Sequence, residues 1–298
     1  MNNKIAIVFD FDITLSPYYQ QKEIINHWGE DEARFWDRCT RKVTEEDYDL
    51  EHGYIKVMLE YMEENEDYQL SNEDLYNLGK QITLYDGLTK REGQNSIFDD
   101  ITAITQSEEF KKLGVEVEYY VISGGLTEMI KGALEGNNLS SYFKYIFACT
   151  LDENKDGFIS FPKETVGHTI KTQKLFKIAK GLNRNVNDKL DELQIPFENI
   201  IYLGDGETDI PAFSLINQMG GVSIAVYRES KNSDGSIDET KTKATYEKSF
   251  EFAIKSERAE QLLPADYSSG KPLKIALENY VKILCEKMVQ SKQNIKEL

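Results

Sequence analysis

Two carboxylates stand two residues apart at Asp10 and Asp12, directly after the apolar run Ile5-Ala6-Ile7-Val8-Phe9. A pair at that spacing can divide a displacement reaction. Asp10 can attack an electrophile and form an aspartyl ester or acyl phosphate. Asp12 can give a proton to a leaving oxygen and then take one from water. An Asp after a strand also serves merely to satisfy turn N–H groups, so Asp10-Phe11-Asp12-Ile13-Thr14 says little alone.

Three further sites along the chain carry matching chemistry. Ser123-Gly124-Gly125 follows the run Val117 to Ile122. A hydroxyl with free backbone N–H groups at a helix start makes an anion site, or a plain N-cap. Lys171 stands before the amphipathic stretch Thr172 to Ile178 and can hold a phosphoryl oxygen or pair with a carboxylate. Lys174 is its rival for that role. Gly204-Asp205-Gly206-Glu207-Thr208-Asp209 follows Ile200 to Leu203. Two acids four apart at a helix start can hold Mg2+ directly and through waters. The helix dipole favours acids there as well.

The elements that must position these residues are short β-branched runs bounded by turn residues, as in strands of a parallel sheet covered on both faces. Tyr145 to Ala148 and Val222 to Val226 read as two more such strands. Helical periodicity over Thr127 to Leu134, Thr172 to Gly181 and Thr208 to Met219 alternates with them. Strand–helix alternation predicts a doubly wound, Rossmann-like α/β fold. Ligands in such sheets bind beyond the carboxyl ends of the strands, where three of the four sites lie.

Taken in order, DFDIT, VISGG, IKTQKL and YLGDGETD resemble the four motifs of the haloacid dehalogenase (HAD) superfamily of phosphohydrolases. The likeness is greatest to its phosphoserine phosphatase-like branch, and it covers residues 4 to 226. The resemblance implies a Mg2+-dependent phosphatase of small phosphomonoesters that forms an aspartyl-phosphate, with phosphoserine as the branch-level substrate. It implies Asp10 as nucleophile and metal ligand, and Asp12 as acid/base with its backbone carbonyl on the metal. It implies Ser123, the Gly124 N–H and Lys171 on the phosphoryl group, and Asp205 on the metal. Asp209 then orients the metal or Lys171 from behind. Thr208 stands where relatives often carry Asn. An acid at Asp12 favours hydrolysis of an ester with an alkoxide leaving group over carbon–halogen cleavage. A phosphomutase or phosphotransferase with the same chemistry is one alternative. A non-enzymatic binding protein on this scaffold is another.

More than a hundred residues separate the first two strands. Residues 16–84 have helical texture and read as an inserted helical cap, with 1–15 and 85–298 as the catalytic core. The cap holds 7 basic and 17 acidic residues, and the run Glu60 to Asp74 has seven acids and no base. Arg34, Arg38, Arg41 and Lys42 recur at helical spacing; one can reach a substrate anion, but a solvated face is the ordinary role. Trp28, Phe35 and Trp36 suit the cap core. Residues 228 to 250 read as a surface excursion, and Pro272 to Val289 as a terminal helix. Asp152 to Gly157 resembles the start of a calcium loop, but Lys163 occupies the closing position, so a turn between two short strands is expected. His27, His52 and His168 lack metal-ligand spacing.

The whole chain, 298 residues with net charge −17, excludes further classes. An acidic surface does not neutralise nucleic-acid phosphates or anionic lipid. No apolar run approaches the roughly 20 residues of a membrane span, and Met1 to Phe9 does not suit a signal peptide. Cys39, Cys149 and Cys285 are odd in number and widely spaced, as in a reduced cytoplasmic protein.

Overall fold

A computed structural model describes residues 3–185, 187, 189 and 193–296. Seven strands form one sheet: β1 (Lys4–Phe9), β2 (Glu116–Leu126), β3 (Phe143–Glu153), β4 (Ile159–Glu164), β5 (Ile200–Gly204), β6 (Val222–Tyr227) and β7 (Gln261–Pro264). Their order is β4-β3-β2-β1-β5-β6-β7. Every neighbouring pair is parallel except β3 and β4, which form the antiparallel hairpin expected around Asp152 to Gly157.

The two-residue period of the strands divides their side chains between two cores. On β1, Ile5, Ile7 and Phe9 enter one and Ala6 and Val8 the other. On β5, Ile201 and Leu203 oppose Ile200 and Tyr202 in the same way. Burial on both faces explains why these strands read as continuous apolar runs.

Among the described residues ten α-helices accompany the sheet: α1 (Gln21–Trp28), α2 (Glu32–Glu45), α3 (Leu50–Glu64), α4 (Asn72–Gly79), α5 (Ile97–Thr105), α6 (Thr127–Gly136), α7 (His168–Lys180), α8 (Ile210–Gln218), α9 (Glu239–Ala253) and α10 (Pro272–Lys296). Residues of α7 and α8 line the core that holds Ala6 and Val8. Those of α4, α5, α6 and α10 join the other. The fold is thus a doubly wound α/β sheet with helices between its first two central strands. Helices α1 to α3 pack among themselves through aromatic rings, Trp28 lying 5.6 Å from Tyr61 and 5.4 Å from Tyr68. Helix α4 packs on α6. Its Asn72 side chain donates to the Leu151 carbonyl at 3.2 Å.

Three sequence expectations are corrected. Helix α7 begins at His168, so Lys171 lies inside it and not before it; its N-cap is Gly167, which has no side chain to announce the start. Strand β2 runs through Ser123-Gly124-Gly125, and α6 opens at Thr127. Half of the supposed excursion 228–250 is helix α9. Its sequence hides this because only Ser249 and Ala253 are buried. Among the described residues no helix is long and apolar enough to cross a membrane.

Candidate active site

Strand register assembles the site. Phe9 pairs with Val121 on one side and with Leu203 on the other. Asp10 is therefore the first residue past the end of β1, level with Ile122 inside β2 and with the end of β5. Its backbone N–H donates to the Leu203 carbonyl at 2.8 Å.

Lys171 reaches this point from α7 and is fully buried. Its ammonium donates to Asp10 Oδ2 at 2.7 Å and to Asp209 Oδ1 at 2.6 Å. Tyr202 donates to the same Asp209 oxygen at 2.5 Å, and the Gly206 N–H donates to Asp209 Oδ2 at 3.1 Å. The Asp209 carboxylate folds back against Gly204, where a Cβ would stand 2.4 Å from its carboxyl carbon. Glycine at 204 is thus a packing requirement. The rival Lys174 pairs with Glu164 at the surface.

Burial acts on these acids in one direction. It raises the Asp10 carboxyl to about 6, against the lowering pull of Lys171. Burial and the Asp10 charge raise Asp12 to about 7. Burial, then the charges of Asp10 and Asp209, push Asp205 well above the usual carboxylate range. Burial alone would lower the Lys171 ammonium, but Asp10 and Asp209 outweigh it and hold it charged.

Asp10, Asp205 and Asp209 each place a carboxylate oxygen within 4.8 Å of the others. This is a hard, oxygen-only donor set of the kind Mg2+ takes. The oxygens of Asp209 are already engaged. No hydrogen bond reaches the Asp205 carboxylate among the described residues, and Asp10 lies beside it. Four acids against one bonded lysine leave a negative excess that a divalent cation balances, so the residues fit the metal. The Asp12 carboxylate is not in that group; it faces Gln20 instead.

Ser123 is buried, and its hydroxyl accepts from the Gly125 N–H at 3.1 Å. The Gly124 carbonyl is held by the Tyr54 hydroxyl of α3 at 2.9 Å. Glu51, one helical turn earlier, is also buried, and a Cβ at Gly124 would lie 3.1 Å from its Oε1. Burial raises the Glu51 carboxyl. The Thr208 side chain joins none of the site's hydrogen bonds among the described residues.

Sequence reasoning missed several residues here. Gln20, Glu51 and Tyr54 carry no motif. Tyr19 is also new: the residue is half exposed, its hydroxyl is raised by local desolvation and by the charges of Asp205, Asp12 and Asp10, and its ring lies 5.4 Å from Trp36. From the C-terminal region, Tyr267 donates to the Thr14 carbonyl at 2.9 Å and Arg228 to the Pro17 carbonyl at 3.1 Å. Both buttress the loop after Asp12. That loop holds the β-branched Ile13 at φ +60°, a strained conformation that its surroundings must enforce. The cap bases stay within the helical unit: Arg34 with Glu30, Arg38 with Glu60 and Glu64, Arg41 with Asp37, Lys42 with Glu46 and Glu60.

No family model matches the chain. An uncharacterized protein of Borreliella burgdorferi is 28% identical over 239 residues, spanning 73% of this chain and 80% of that one. A substrate-bound phosphoserine phosphatase superposes with TM-score 0.51 at 21% identity, over 94% of this chain and 99% of its own. An apo phosphoserine phosphatase gives 0.52 at 21% identity, over 92% and 98%. The chain has the HAD-type α/β fold. That fold is similar to the folds of these two phosphoserine phosphatases.

Proposed function

We propose that the protein is a Mg2+-dependent phosphatase of small phosphomonoesters that works through an aspartyl-phosphate on Asp10. The observation that carries this reading is the Lys171 ammonium held between Asp10 and Asp209, with Asp12 two residues on. Lys171 and the Phe11 N–H, 2.6 Å from Asp10 Oδ1, hold the Asp10 carboxylate in place. An Asp10 oxygen attacks phosphorus while the ester oxygen leaves with a proton from Asp12. Asp12 then takes a proton from water, whose oxygen attacks phosphorus, releasing phosphate and restoring Asp10. The Ser123 hydroxyl, the Gly124 N–H and Lys171 bind the phosphoryl oxygens. Asp10, Asp205 and the Asp12 carbonyl would hold Mg2+, which supplies charge neutralisation on the phosphoryl oxygens when bound. Asp209 fixes Lys171 from behind.

Helices α1 to α3, set over the strand ends through Tyr54 and Gln20, form the cap that admits and encloses substrate. Phosphoserine is the first ester to test, because the superposed folds belong to phosphoserine phosphatases. The purified protein with Mg2+ should release inorganic phosphate from a panel of phosphomonoesters. Asp10→Asn should cut this by about 10^3-fold or more, in the range of lost nucleophiles. Absence of phosphate release across the panel refutes the reading; phosphate returned to an acceptor instead of water identifies a transferase.

A further inference from the structure

Gln20 is fully buried beside the site and belongs to none of the four motifs. Its bonds tie three segments together. Its backbone N–H donates to Asp12 Oδ1 at 2.8 Å, and its side-chain Nε2 donates to Asp12 Oδ2 at 3.2 Å. Its Oε1 accepts from the Leu126 N–H at 2.8 Å, directly after Ser123-Gly124-Gly125 at the end of β2. The next residue, Gln21, opens α1. One residue thus bridges the nucleophile loop, the end of β2 and the entry to the helical unit.

The contact has been made room for. A Cβ on Gly125 would fall 1.8 Å from Gln20 Nε2. The φ at Gly125 lies outside the left-handed region. Glycine there is required by the close approach of Gln20 and not by the backbone angle. A buried side-chain amide has two N–H donors and one carbonyl to satisfy, and a carboxylate accepts at both oxygens. Each Asp12 oxygen gives one lone pair to Gln20 and keeps another.

We propose that Gln20 is the positioning residue for the acid/base Asp12, fixing its carboxyl for proton transfer to the leaving oxygen. The proposal rests on the phosphatase reading and adds a residue to its machinery. Two fixed bonds stop rotation about both the Asp12 side-chain torsions, so the remaining lone pairs present one direction to the bound ester. Proton delivery is sensitive to such placement, since misplacement of about 1 Å can cost on the order of 100-fold. The second anchor, Leu126 N–H, makes that direction relative to the end of β2 and not merely to Asp12's own strand.

The leaving group provides the test. An alkyl phosphate must have its departing oxygen protonated, whereas p-nitrophenyl phosphate expels an acidic phenol that leaves unaided. In Gln20→Met, which keeps length but loses the amide, kcat/KM should fall by about 30-fold or more for an alkyl phosphomonoester. It should fall by no more than about 3-fold for p-nitrophenyl phosphate. Equal losses for both esters, or none, overturn the proposal. A crystal structure of Gln20→Met gives a readout free of turnover: the Asp12 carboxyl should rotate away from its present orientation. An unchanged Asp12 overturns the proposal even if the enzyme is active. Loss of all activity in the unaltered protein with a rotated Asp12 instead overturns only the phosphatase reading.

Discussion

Two acidic regions of the molecule treat the same charge in opposite ways. On α2 and α3, Arg38 meets Glu60 at 3.0 Å and Glu64 at 2.8 Å, and Lys42 meets Glu60 at 2.9 Å, with Glu64 more than half exposed. The bases there hold the carboxyls of Glu60 and Glu64 below their usual range. At the strand ends, Asp10, Asp12 and Asp209 are buried, and Lys171 is the one base bonded to them among the described residues. There burial outweighs pairing and pushes Asp10 and Asp12 upward. Solvated acids need only screening; dehydrated ones need a partner of matching charge. The chain spends most of its acidity where it costs little, and it concentrates an uncompensated remainder where a cation can act.

The sharpest way to break this contrast is to remove the central base of each region. Lys171→Met leaves Asp10 and Asp209 facing each other without a cation, and should cost about 3–5 kcal/mol of stability near pH 8. Arg38→Ala should cost about 1 kcal/mol, because Glu64 is more than half exposed and Glu60 keeps Lys42. The Lys171 penalty should shrink at pH 5, where Asp10, already raised to about 6 by burial, can take a proton. Denaturant unfolding of both variants at the two pH values checks this; equal costs would mean that burial does not separate the regions.

The candidate acids Asp10 and Asp205 were legible in the sequence because each follows a strand whose apolar run marks its end. Ser123 follows an apolar run as well, although it lies inside β2, and order along the chain supplies the rest. Lys171 was legible as a residue but not as part of a helix, since Gly167 offers no capping side chain. Gln20, Tyr54 and Glu51 were not legible. Each reaches the site through a contact between segments far apart in sequence, Gln20 to Leu126 and Tyr54 to Gly124, which no local pattern encodes. The C-terminal region was opaque for the same reason. Tyr267 acts on Thr14 across the fold, and α9 is too polar to show a periodic face.

A divalent cation gives a second and smaller separation. Mg2+ at 100 times its dissociation constant should raise stability by about 2.7 kcal/mol if it binds only the folded chain. Asp205→Asn should abolish that gain, whereas Glu60→Gln with Glu64→Gln should leave it unchanged. Thermal unfolding with and without Mg2+ decides between them. Stabilisation lost in the surface variant instead would place the ion on the cap.

The finest test uses pH on the metal-free protein, because the two regions have opposite signs. The folded carboxyls of Glu60 and Glu64 titrate below their unfolded values. Their stabilisation is present above about pH 4.5 and is lost as pH falls through the folded values. Asp10 and Asp12 are raised, to about 6 and about 7, so the folded state holds their protons more tightly than the unfolded chain does. Their contribution is complete below the ordinary aspartate value near 4 and is lost as pH rises to about 7, with a slope of at most about 1.4 kcal/mol per pH unit for each proton. In the presence of a chelator the stability curve should therefore peak near pH 5. Asp12→Asn should flatten its alkaline side and leave the acid side alone, while Glu64→Gln should do the reverse. Mg2+ should lift the alkaline side most, since it favours the deprotonated carboxylates. A metal-free curve that rises steadily from pH 5 to 7 would show that the strand-end acids are ionised in the fold at no cost, and the contrast between the regions would fail.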